Sequence, residues 1–370
     1  MKYRRMPIEV ESPEQIGYGN LRCNLTESSV SDMRLADLDL DLGPLVLAYT
    51  EHLGKPELRQ LLAADGPGLA PRDVLVTPSA AAALFIVATA ILDEDSHLVV
   101  VRPNYATNLE TPRAIGCAID FLDLEFEDGF RFTLDRLAAL VRPETKLISL
   151  TTPHNPTGQT LTEKELQAVV ALAERRGCTL LVDETYREMN FAGPTMLAAS
   201  LGPNCISVAS MSKAYGLPGI RIGWIIARDP ALQETFLAAK EQIFITNPVI
   251  DEEIAFRVLT KKASILPPIL ERNRKRFDTV KAWMEKQAHM EWVEPTGGVV
   301  CFPRIRPDSE VDVEAFYRVL NGKYATFVGP GHWFERDRRY MRLGYGWPAD
   351  AELAEGMENM TRAMEETNRG

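Results

Sequence analysis

The chain has 370 residues, 45% of them hydrophobic and 25% charged, with a formal net charge of -11 at pH 7. That length and apolar fraction suffice for a large core and usually divide between two domains. The acidic balance excludes nucleic acid and anionic membrane surfaces as partners, since both require a basic footprint.

The amino terminus, Met1-Lys-Tyr-Arg-Arg-Met-Pro, has basic residues with no apolar stretch behind them, so no secretory signal is expected. The longest apolar run, Ala80 to Leu92, is too short to cross a bilayer and stops at Asp93-Glu94-Asp95, which predicts a core helix. Apolar runs at 98–101, 147–150, 179–182, 205–209 and 223–227 predict strands alternating with helices. The clearest helix starts at Thr162, where Glu165 completes a capping box. Leu166, Val169, Val170 and Ala173 then share a face until Gly177 ends it. This alternation predicts an α/β fold, a large domain over 45–250 with a mostly parallel sheet and helices on both faces. Beyond Pro248 the pattern changes to a charged helical stretch from Glu271 to Met290, a few β-like runs and a last helix, Ala351 to Thr367. A smaller α+β domain is expected over 251–370, joined by an amino-terminal arm, 1–44. Cys23, Cys117, Cys178, Cys205 and Cys301 form no C-x-x-C pair and read as the reduced thiols of a cytoplasmic protein. The five histidines show no H-x-x-x-H spacing, so no metal site is expected.

Three segments carry chemistry. Ser210-Met-Ser-Lys213-Ala-Tyr-Gly216, with Arg221 and Gly223 beyond, places one lysine among hydroxyls and glycines. A buried lysine amine with a lowered pKa forms an imine with an aldehyde, and pyridoxal phosphate (PLP) is the aldehyde used in this way. Leu180-Leu-Val-Asp183-Glu184-Thr-Tyr186 is a strand ending in an acid, able to hold a pyridine nitrogen protonated. Thr151-Thr-Pro-His154-Asn155-Pro156-Thr157-Gly158 is a rigid turn that aims the Asn155 amide. Taken singly, each is more often a surface loop, a helix cap or a plain turn.

In combination and in this order they resemble the class I/II aminotransferases, PLP enzymes of fold type I, and the likeness spans nearly the whole chain. The resemblance implies that Lys213 forms the imine and shuttles the α-proton. Asp183 would pair with the pyridinium nitrogen, Asn155 and Tyr186 would donate to the ring's phenolic oxygen, and Tyr105, after Pro103-Asn104, would stack on the ring. Ser210 and Arg221 would bind the phosphate. Tyr49, in Tyr49-Thr-Glu-His-Leu-Gly54, implies a homodimer in which it reaches the partner's site, and Arg342, in Tyr340-Met-Arg342-Leu-Gly, would grip the substrate α-carboxylate beside Asn155.

Two stretches depart from the family pattern. In Thr77-Pro78-Ser79-Ala80-Ala81, Ala81 lacks the hydroxyl usual in the phosphate cup, which leaves Ser79 and the backbone amides of Ala80 and Ala81 for the phosphate. In Leu25-Thr-Glu27-Ser28-Ser29-Val-Ser31-Asp32 a glycine-containing closing loop is replaced, and Glu27 and Ser28 become candidates for substrate contact. Glu27 and Asp32 either hold a guanidinium or ammonium group or serve as surface caps. His154 and His332 either line the pocket or pack in loops.

The expected activity is transfer of an amino group between an α-amino acid and a 2-oxo acid. The alternative is a PLP-dependent lyase, cyclase or oxygen-using oxidase or desaturase acting on an amino acid, possibly a cationic, arginine-like one, because fold does not choose among these reactions.

Overall fold

The structure, a computed structural model, describes residues 1–369. Its largest element is a seven-stranded sheet in the spatial order Val74–Thr77, Gly223–Ala227, Cys205–Ser210, Thr179–Asp183, Thr145–Thr151, His97–Arg102, Ala118–Asp123. Gly223–Ala227 runs antiparallel to both of its neighbours, and the remaining pairings are parallel. All five predicted strands are present. The two missed ones are the edges: Val74–Thr77 is buried but its apolar run is only Val74-Leu75-Val76, and Ala118–Asp123 is largely half-exposed and gives no continuous apolar run.

Alternate residues of the central strands face opposite layers, as the period of two requires. Leu98 and Val100 pack with Leu84 and Val87 of the helix Ala80–Ile91, the predicted core helix. Val99 and Val101 pack on the other face with Leu166, Val169 and Ala173 of the helix Glu163–Arg176. That helix begins as its sequence predicts: Thr162 Oγ1 accepts from the Glu165 amide at 3.2 Å, while Glu165 Oε2 accepts from the Thr162 amide at 2.7 Å. Gly177 ends it in the left-handed region.

A four-stranded sheet is built from Cys23–Leu25, Thr326–Pro330, Met341–Gly344 and Val300–Cys301. Cys23–Leu25 pairs in parallel with Thr326–Pro330, which ties the amino-terminal segment to the carboxyl-terminal part of the chain. Leu25, Phe277, Val280, Leu343, Met357 and Met360 form its core, with the last two supplied by the helix Asp350–Thr367. The charged helix runs Lys262–Met284 and carries Pro267 and Pro268 inside it, so the prolines that disfavour a helix in sequence displaced its expected start. The helix Val249–Thr260 places Ile254, Ala255 and Val258 in one cluster with Leu58, Val74 and Val76, so the packing of the large sheet continues past residue 250. Among the described residues no helix is long and apolar enough to cross a membrane.

Candidate functional site

The strands Thr145–Thr151, Thr179–Asp183 and Cys205–Ser210 end side by side, and the residues at and after those ends line a cavity of about 300 Å³. Open α/β sheets present ligand sites at this edge. The cavity is lined by Asn155, Asp183, Tyr186, Ser210, Lys213 and Arg221, as well as by Ser79, Ala80, Ala81, Tyr105 and Arg342. Thirteen candidate residues, these eleven with Glu27 and Ser28, therefore converge on one space. Tyr49 does not line it and is 86% exposed.

One end is built for an anion. Ser79 caps the helix Ala80–Ile91, its Oγ accepting from the Ala82 amide at 3.1 Å. The amides of Ala80 and Ala81, in the first turn, have no intrahelical acceptor and stay available. Gly223 lets the neighbouring strand touch this turn, since a Cβ there would lie 2.4 Å from the Ser79 carbonyl carbon. Ser210, Ser212 and Arg221 line the same cavity. Where Ala81 offers no hydroxyl, the backbone amides of this first turn remain as donors.

At the centre, Lys213 Nζ donates to Ser28 Oγ at 3.0 Å. Burial pushes the lysine pKa below its ordinary value, with Glu27 opposing and Arg342 adding to the shift. Asp183 is buried, and Oδ1 accepts from the Thr185 amide at 3.1 Å and from its hydroxyl at 2.6 Å. Burial raises its pKa, while the hydrogen bonds from Thr185 and Asn108 pull it back. The Tyr186 hydroxyl donates to the Ser28 carbonyl at 2.8 Å. A phenol has one proton to donate, so donation to a ring oxygen requires Tyr186 to release Ser28.

At the opposite end Arg342 is buried, Nη2 donating to the Thr26 carbonyl at 2.7 Å and Nη1 to Asn155 Oδ1 at 3.1 Å. Its Nε has no partner. Arg342 thus brings a guanidinium, held by Thr26 and Asn155, to the lining of the cavity. The segment carrying Thr26 and Glu27 lies tight on the strand Met341–Gly344, because a Cβ on Gly344 would meet the Glu27 carbonyl oxygen at 1.8 Å.

Several lining residues carry no local sequence signal. Glu9, Glu14 and Tyr18 arrive with the folded amino-terminal arm, and Trp333 and Trp347 with carboxyl-terminal loops. Tyr18 and Trp347 stack with centroids 6.1 Å apart. The histidines fall outside the cavity: His154 is buried, with Nδ1 2.8 Å from Thr157 Oγ1, and His332 pairs with Glu11.

Over residues 18–358 the chain matches the family described as aminotransferase class I and II. It is 26% identical over 335 residues to capreomycidine synthase of Streptomyces vinaceus, covering 86% of this chain and 85% of that one. It is 27% identical over 309 residues to the arginine–pyruvate transaminase of Pseudomonas aeruginosa, covering 80% and 77%. The crystal structure of a PLP-dependent aminotransferase from Streptococcus suis superposes with a TM-score of 0.92 at 25% identity, over 100% of both chains.

Proposed function

The chain belongs to the class I and II aminotransferase family, as a PLP-dependent enzyme of fold type I, and from that premise we propose that it transfers the amino group of an α-amino acid to a 2-oxo acid. Bound PLP supplies an aldehyde carbon and a pyridine ring that acts as an electron sink. The residues on the cavity suit that group. The amides of Ala80 and Ala81, Ser79, Ser210 and Arg221 hold the phosphate, Tyr105 covers the ring, Asp183 pairs with its nitrogen, and Asn155 with Tyr186 donates to its phenolic oxygen. Lys213 holds the aldehyde carbon and then accepts the substrate α-proton, for which an amine with a lowered pKa is suited. Arg342 grips the α-carboxylate, with Asn155 and Ser28 beside it. The exposed ring of Tyr49 supports a homodimer in which it completes the partner's phosphate site. Five buried, unpaired cysteines support a cytoplasmic location.

The observation that carries this reading is the convergence of Lys213, Asp183 and Arg342 on one cavity. Its test is anaerobic mixing of the PLP-loaded protein with a panel of amino acids. One of them should convert the cofactor stoichiometrically to its amine form with release of a 2-oxo acid. Product that requires oxygen, or a product other than a 2-oxo acid with the cofactor unchanged, overturns it. The second reading, a lyase, cyclase or oxygen-using enzyme on a cationic amino acid, is supported by the 26% identity to capreomycidine synthase, and those same outcomes would favour it.

A further inference from the structure

The cavity is out of charge balance. Five carboxylates line it, Glu9, Glu14, Glu27, Asp32 and Asp183, against three cations, Lys213, Arg221 and Arg342. The proposed function engages all three cations and Asp183, and it brings in a phosphate and a substrate carboxylate as further negative charge. Four acids remain, and among the described residues none of them forms an ion pair.

Glu27 is the best placed of the four. It follows Thr26, whose carbonyl accepts from Arg342, so the carboxylate grip and this acid sit on adjacent residues of one tightly packed segment. The Tyr18 hydroxyl and the Asn24 amide donate to Glu27 at 3.1 Å and 3.4 Å, both to Oε1, which leaves Oε2 without a donor. Burial pushes its carboxyl above the usual range, Lys213 offsets part of this and Glu14 adds to it, so a ligand cation would relieve the remaining penalty. Asp32 lines the same cavity, accepting from Trp347 Nε1 at 2.8 Å. The stacked Tyr18–Trp347 pair offers the aromatic surface that a guanidinium stacks on. Arg342 lines the same cavity, held by the Thr26 carbonyl and Asn155, and supplies the cation for the other end of a ligand.

We propose that the amino-acid substrate carries a fixed positive charge at the end of its side chain, a guanidinium or ammonium held by Glu27 and Glu14 against Tyr18 and Trp347. This rests on Arg342 holding the α-carboxylate. The same charges disfavour aspartate and glutamate, whose second carboxylate would enter a wall already in acidic excess.

The test uses the PLP-loaded protein and three carboxylic acids that lack an α-amine, with cofactor absorbance checking that the terminal amine of the second does not react with the aldehyde. They are 5-guanidinopentanoate, 6-aminohexanoate and hexanoate, titrated by calorimetry. The guanidino acid or the amino acid analogue should bind at least about tenfold tighter than hexanoate, the scale of a charge-assisted hydrogen bond. Which of the two binds better distinguishes guanidinium from ammonium. Glu27→Gln and Glu14→Gln should each reduce that preference severalfold, with cofactor absorbance and melting temperature reporting that the variants fold. Should Glu27→Gln fail to fold, Glu14→Gln and the wild-type comparison still decide. Equal binding of all three acids, absence of binding, or an unchanged preference in folded variants overturns the proposal. Preferential binding of a cationic acid together with no amine-form cofactor from arginine or lysine would leave this inference standing and sink amino transfer. Amino transfer from neutral amino acids with no cationic preference would do the reverse.

Discussion

Arg342 Nη1 donates to Asn155 Oδ1 at 3.1 Å across 187 residues of chain, so the guanidinium assigned to the substrate and the amide assigned to the cofactor brace each other. The Asn155 Nδ2 group stays free to donate. Arg342→Ala should lower kcat/KM on the order of 10²-fold, mostly through KM, because it removes a buried charge-assisted contact to the carboxylate. The cofactor should remain bound, as its visible absorbance will show. Loss of PLP from this variant would move Arg342 out of the substrate end of the cavity.

Lys213 is the lysine expected to carry the cofactor. Borohydride reduction of the loaded protein followed by peptide mapping should place the pyridoxyl label on it, and Lys213→Ala should abolish turnover. The structure also supplies a competitor: Lys240 is fully buried, with its pKa pushed down to about 8 by burial. Its Nζ donates to the His52 carbonyl at 2.5 Å, and it does not line the cavity. A label on Lys240, Lys55 or Lys164 would overturn the assignment of Lys213.

Asp183 and Glu184 are adjacent and both buried, but they serve different surroundings. Asp183 lines the cavity, whereas Glu184 Oε1 accepts from the Ala198 amide at 3.0 Å on the other side of the strand. Asp183→Ala should therefore cost ~10²–10³ in kcat, the scale of a lost preorganised charge. Glu184→Ala should cost much less at equal protein folded. The opposite order in steady-state rates would show that the catalytic acid had been placed one residue too early.

Much of this arrangement was legible in sequence because it is local. Strand, acid and turn follow one another within a few residues at Asp183 and Asn155, and Lys213 sits among its own hydroxyls and glycines. The edge strands were not legible, since the three apolar residues Val74-Leu75-Val76 and the half-exposed Ala118–Asp123 leave little apolar pattern. Glu14, Tyr18 and Trp347 were invisible for a different reason. They reach the cavity only because the amino-terminal arm folds over it and because the strand Cys23–Leu25 pairs with Thr326–Pro330, a long-range contact that no local pattern encodes. The engagement of Tyr186 with the Ser28 carbonyl likewise depends on packing between distant segments.

Glu184 also gives a pH-dependent prediction. Burial pushes its carboxyl up to about 7, and its Oε2 has no partner. The unfolded chain releases this proton near the ordinary value of about 4.5, while the folded protein keeps it until about 7. Between those values the unfolded state binds fewer protons, so stability falls as pH rises, and above about 7 the full penalty persists. Glu184→Gln cannot ionise and escapes that penalty. The stability of Glu184→Gln relative to the parent should therefore increase by about 2 kcal/mol from pH 5 to pH 8, within the reach of a shift of this size. Chemical denaturation of both proteins at the two pH values measures it. Any pH-independent effect of the substitution cancels in the comparison, and so does the opposite contribution of buried His154, which is pushed down to about 4 and is common to both proteins. A relative stability that stays flat, or falls, across this range would mean that Glu184 ionises normally in the folded protein.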